Sequence, residues 1–113
     1  VKKLSYSILL FFTACSSEPT HIAPDNLISA DKMISLIIDL QILETHYNRQ
    51  FQQPQLYKNA LDSASEFVFE KHNVTKSQFD SSYTFYSFEP TTIYGIYEAA
   101  LDSINFRLSQ QTR

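Results

Sequence analysis

One glycine, Gly95, in a chain of 113 residues leaves few places where the backbone can turn sharply or take a left-handed conformation cheaply. Turn-rich all-β architectures need such residues at regular intervals, so they are disfavoured. Phosphate-cradling loops need several glycines close together. A Walker loop or a dinucleotide fingerprint therefore cannot be written in this sequence. The breakers that remain are four prolines, and long segments with apolar residues at helical spacing lie between them. The expectation is an all-α fold, a small bundle of three to four helices.

The first predicted helix spans about residues 30–49. Ser29 is a good N-cap and Asp31 lies in the first turn, facing the positive end of the helix dipole. Met33, Leu36, Ile37, Leu40, Leu43 and Tyr47 form one stripe, with Ile34, Ile38 and Ile42 beside it. An apolar surface that wide predicts two neighbours and a central position. Pro54 suits the start of a second helix, whose stripe is Tyr57, Ala60, Leu61, Ala64, Phe67 and Val68. It closes near Lys71 and His72, with Asn73 as a left-handed cap. Thr75 and Gln78 match a capping box and predict a third helix. The Ser-, Thr- and aromatic-rich run 81–88 has strand propensity, so strand competes there with the helix that the capping box favours. Pro90 opens the last helix, with Ile93, Ile96, Tyr97, Ala100, Ile104 and Leu108 as its stripe. Gly95 within it costs about 1 kcal/mol relative to Ala, tolerable where a neighbour approaches closely.

The N-terminal end differs in kind. Lys2 and Lys3 precede a short apolar run, and small residues then lead to Cys15, the only cysteine. Positive, apolar and small-residue regions in that order are the layout of a secretory leader. The run is well short of the roughly 20 apolar residues that a spanning helix needs. "FTAC" resembles the bacterial lipobox, with Phe12 where Leu is usual. The resemblance implies lipidation of the Cys15 thiol and cleavage before it. A lone exported cysteine, which has no disulfide partner in its own chain, is thereby explained. The expected organisation is a signal peptide over 1–14, a lipidated Cys15 with a flexible tether over 15–28, and a helical domain over 29–113. Two or three acyl chains would hold it stably to a membrane.

Such a mature chain keeps seven cationic side chains against twelve acids. No basic patch is present, so nucleic acid is not an expected partner and neither is anionic lipid attracted by charge.

Two stretches resemble a small Bacteroidetes lipoprotein family catalogued only as a domain of unknown function, DUF4296. In "PDNLISADKMISLIIDLQILETHY" the matching positions are Pro24, Lys32, Met33, Ile37, Asp39, Leu40 and Glu44. In "FVFEKHNVTKSQFDSSYTFYS" they are Phe69, Lys71, Val74, Thr75, Gln78, Phe79, Asp80, Ser82 and Tyr86, with Phe85 replacing the first of two usual tyrosines. The resemblance implies a helical fold, lipidation and a Bacteroidetes envelope, and brings no assigned activity. Glu18 followed by Pro19 is an incomplete match to the acidic surface-export signal of such bacteria, so the expected location is the outer membrane, facing the periplasm.

No constellation of residues points to catalysis, and no cofactor or metal is expected. His72 with Asp80, Ser81 and Ser82 lacks a nucleophile elbow and an oxyanion-hole glycine. Asp39 and His46 share a helix face, which supports an alternative reading as an envelope enzyme or metal-binding protein, but two ligands fall short of a site. Asp39 sits among apolar neighbours, and its expected partner is a tyrosine or a helix N-terminus. Asp80 follows the capping box, where an acid suits the dipole. The candidate partner-binding residues are Tyr83, Phe85, Tyr86, Tyr94 and Tyr97, since a domain this small cannot bury all its aromatics and exposed tyrosine often marks an interface. The leading expectation is a non-enzymatic, membrane-anchored protein-interaction or assembly-accessory module with a protein partner in the envelope. Chaperone-like holding of exported chains is a further alternative.

Overall fold

In the computed structural model, which describes residues 21–51 and 53–112, the chain forms four helices and no strand among those residues. They are α1 (Ala30–Phe51), α2 (Pro54–Lys71), α3 (Lys76–Ser87) and α4 (Pro90–Gln111). The expected signal peptide, Cys15 and the expected tether up to residue 20 lie outside the described residues.

Helix α1 starts where the sequence predicts, with Ser29 Oγ accepting from the Lys32 N–H at 3.4 Å. It is central: α2 packs on one side of it and α4 on another, while α3 packs on α4. Met33 and Leu36 are fully buried, with Ile37 and Ile38 nearly so. The second isoleucine stripe divides. Ile38 is covered, whereas Ile42 is half exposed.

Helix α2 turns Tyr57 and Phe69 into the protein, with Leu61, Ala64 and Val68 partly covered between them. Phe67, expected on the same stripe, instead points outward and is 72% exposed. The Tyr57 hydroxyl donates to Asn48 Oδ1, and its ring lies in a cluster with Tyr47 and Phe51 that closes the α1–α2 turn. The helix ends as predicted at Asn73, whose φ is 52°. The Val74 N–H returns to the Phe69 carbonyl at 3.0 Å and the Asn73 N–H to that of Glu70 at 2.9 Å, a Schellman pair. Phe69 and Val74 are both buried, which supplies the apolar contact that accompanies this cap.

Run 81–88 resolves as helix through Ser87, capped at Phe88. Hydroxyls that could have favoured a strand fold back onto their own helix: Ser81 donates to the Gln78 carbonyl and Thr84 to that of Asp80. Thr75 Oγ1 accepts from the Gln78 N–H at 3.1 Å, half of the predicted capping box. The other half is absent, because the Gln78 side chain donates to the Asn26 carbonyl at 2.9 Å.

That bond begins a clamp. Residues 24–27 make a turn closed by the Leu27 N–H on the Pro24 carbonyl. The Ile28 N–H donates to Ser82 Oγ at 3.0 Å, and the Tyr86 hydroxyl donates to the Ile28 carbonyl at 2.7 Å. Gln78, Ser82 and Tyr86 are four apart along α3, so they present one row of polar tips to the arriving chain. Ile28, 3% exposed, enters the core. Within the segment 15–28 read as a tether, Leu27 and Ile28 pack on the domain and the chain is held from about Pro24.

In α4, Ile96 and Ala100 are buried and Ile93 and Ile104 are half buried, while Tyr97 and Leu108 lie toward solvent. Gly95 has no close neighbour to make up for its helical cost, because nothing comes within 4 Å of where its Cβ would sit.

Candidate functional site

A groove of about 830 Å³ lies between α1 and α4. Ile42, Thr45, His46 and Arg49 form the α1 wall. Tyr94, Tyr97, Leu101 and Leu108 form the α4 wall, with Glu98 and Asp102 among them. Tyr94 is 70% exposed, Leu101 58% and Leu108 55%. Ile42 and His46 also border a shallower depression toward α2, beside Phe67. The apolar surface thus runs across α2, α1 and α4 on one open side of the layer they make. It exists because α4 is apolar over more of its circumference than α1 can cover.

The structure separates the five candidate aromatics. Tyr94 and Tyr97 lie on the groove. The Tyr83 and Tyr97 hydroxyls meet at 3.3 Å, tying α3 to α4. Partial burial first, and then the hydrogen bond and charge of Tyr83 and the charge of Glu44, push the Tyr97 phenol up to about 12. Phe85 is half buried and packs edge-on against Tyr86. Tyr86 is not a surface residue: it is 9% exposed, its hydroxyl is used by Ile28, and burial pushes its phenol up. Ile42, Arg49, Leu101, Glu98 and Asp102 were not foreseen as part of a site. The signal for the α4 members was present, since 94, 97, 101, 104 and 108 repeat at alternating spacings of three and four.

Asp39 pairs with neither a tyrosine nor a helix N-terminus. Its carboxylate accepts from Lys71 Nζ at 2.8 Å and lies 2.8 Å from His72 Nε2, both at the C-terminal end of α2. Partial burial pushes its carboxyl up, but hydrogen bonds from Lys71 and His72, with their charges, outweigh that and hold it below the usual carboxylate value of 3.8. Cations at that end also complement the α2 dipole. His46 borders the same shallow depression as Asp39 but makes no hydrogen bond with it. Among the described residues no three His, Cys, Asp or Glu side chains are grouped to hold a metal.

Asp80 forms an exposed ion pair with Lys76 one turn away, at 2.6 Å. Ser82 is fully buried in the clamp and His72 is held by Asp39, so the structure does not bring together the serine, histidine and aspartate considered from the sequence.

A small all-α domain with an internal polar clamp and one open apolar face is the class that this fold and site define. The family model described as Domain of unknown function (DUF4296) matches residues 24–110, and the chain belongs to that family. No curated protein and no solved structure matches it.

Proposed function

We propose that the chain is a lipoprotein of the bacterial cell envelope, anchored through Cys15 and facing the periplasm from the outer membrane, whose helical domain binds protein through its α1–α4 face. The observation that carries the binding part is the groove, where Tyr94, Tyr97, Leu101 and Ile42 are left partly open beside a well-covered core. Contiguous apolar patches of this kind on small proteins mark interaction sites. The anchor part is supported by the lipobox-like "FTAC" and the apolar run before it. It is supported too by the described helices, none of which is long and apolar enough to cross a membrane. A non-enzymatic role is supported by the engagement of the candidate polar groups, Asp39, His72, Asp80 and Ser82, in contacts that hold the fold. A Bacteroidetes source follows from the resemblance of the sequence.

The test has two arms. Labelled palmitate should enter the wild-type chain, and Cys15→Ser should abolish both labelling and membrane retention. A photo-cross-linker at Tyr94 or Leu101, in cells, should capture a protein partner that the same probe at Asp62, an exposed residue not lining the groove, does not. An unlabelled chain with its leader intact would end the anchored reading. Equal capture from both positions would end the binding reading.

A further inference from the structure

We infer that the α1–α4 face pairs with the same face of a second copy of the chain, the α1 wall of each copy lying over the α4 wall of the other. This rests on the proposal that the face binds protein, and it names the occupant. The first observation is a row on α4. Tyr94, Tyr97, Leu101, Ile104 and Leu108 alternate at spacings of three and four, the seam of a helix that packs along another helix, and all but the half-buried Ile104 are exposed. The row extends over about 21 Å at 1.5 Å per residue. Ile42 on α1 is half exposed across the groove from it.

The second observation is charge. Arg49 stands on the α1 wall, Glu98 and Asp102 on the α4 wall. Glu44, the other acid nearby, does not line the groove and accepts from Gln41 at 3.4 Å. A foreign helix would have to bring both signs in the right order, whereas a second copy brings them automatically. A two-fold axis parallel to the helices exchanges the walls, so each Arg49 side faces a Glu98 and Asp102 side. An axis across the helices would set acids against acids, which is unfavourable.

The third observation concerns the way in. The clamp fixes the arriving chain against α3 at Ile28, immediately before α1. An axis parallel to the helices keeps both arriving segments at the same end of the pair, so both could be anchored in one membrane. The crosswise axis would put them at opposite ends. The apolar area is modest. Tyr94, Tyr97, Leu101, Leu108 and Ile42, each 40–70% exposed, would together bury about 500 Å² per copy, or about 1,000 Å² in all, the lower bound for a specific interface. Such a pair is weak in free solution and is favoured by confinement to a membrane, which raises the effective concentration.

The test uses two differently tagged full-length chains expressed together, with Cys15 retained. With Arg49→Cys in one chain and Asp102→Cys in the other, a short thiol cross-linker should give a mixed dimer. Yields for 49 with 49 and for 102 with 102 should be at least tenfold lower. In co-purification without cross-linker, Arg49→Glu in both chains should reduce recovery of one tag by the other at least tenfold. Adding Glu98→Lys with Asp102→Lys to both should restore it. These positions are exposed, so the variants should fold, and unchanged helical circular dichroism checks that. No mixed dimer, a like-with-like pattern, or a failure of the compensating reversal each overturns the inference. If the Tyr94 probe meanwhile captures a different envelope protein, the binding proposal stands without this occupant. If it captures nothing, both fall.

Discussion

Gly95 immediately precedes the buried Ile96, yet a Cβ placed on it would meet nothing within 4 Å, and its backbone φ is not in the positive range that only glycine holds easily. A glycine in a helix interior without either reason is a plain entropic loss relative to alanine, about 1 kcal/mol. Gly95→Ala should therefore stabilise the domain by about 1 kcal/mol, raising the thermal midpoint by about 4–8 °C for a domain of this size. Thermal unfolding followed by circular dichroism measures it. An unchanged or lowered midpoint would mean that the glycine serves a contact the monomer does not show. Asn73 is the opposite case. It is the described non-glycine residue that does adopt a positive φ, and the sequence announced it, because Asn after Lys71-His72 is what a left-handed cap calls for.

At the scale of elements, signals that act within a few residues were readable and signals that depend on what packs elsewhere were not. Ser29, Thr75 and Asn73 set helix ends through local hydrogen bonds, Pro54 and Pro90 through a fixed φ and a missing N–H, and each does so where the spacing placed it. The 81–88 run was ambiguous because strand propensity and a capping box disagree, and the cap won once the hydroxyls found carbonyls in their own helix. Stripe membership was less secure. Phe67, Tyr97 and Leu108 fit the periodicity of buried residues, but periodicity cannot say whether a neighbour extends far enough to cover them. Asp39 was marked as unusual, yet its partners are more than thirty residues away and had no local signature. That contact gives a pH prediction. Because the folded Asp39 carboxyl titrates below its ordinary 3.8, the contact contributes in full above that value. The contribution is lost as the pH falls through the lower folded value, where the carboxyl takes up its proton. Asp39→Asn should be less stable than wild type by about 1 kcal/mol at neutral pH, modest because Lys71 is largely exposed. The difference should shrink toward zero as the pH is lowered from about 5 to below 3. Urea unfolding of both proteins across that range checks it. A gap that stays constant would assign the loss to packing rather than charge.

For the molecule as a whole, several of the positions that carry the family resemblance turn out to be fastenings. Asp39 and Lys71 join α1 to α2, and Phe69 and Val74 close the end of α2. Thr75 starts α3, and Gln78, Ser82 and Tyr86 fasten the arriving chain along it. A motif that includes such contacts encodes the way four helices and a leading segment are held. The clamp matters most here, because α3 packs chiefly on α4 and the leading segment adds a second attachment. Ser82→Ala removes the acceptor of a buried N–H, which costs about 1–3 kcal/mol when left unpaired. Tyr86→Phe deprives the Ile28 carbonyl of its donor and should cost about 1 kcal/mol. In Ser82→Ala the Ile28 amide, protected in wild type by this one bond, should exchange with solvent close to the rate of an unfolded chain. Amides in the middle of α1 and α4 should stay protected. Release of residues 24–28 would also add roughly 17 Å of free chain ahead of the domain, at 3.3–3.6 Å per residue. Hydrogen exchange resolved to the 24–29 segment decides the matter. If Ile28 remains as slow in the variant as in wild type, Ser82 is not what holds the chain, and the row of polar tips on α3 is a consequence of the packing rather than its cause.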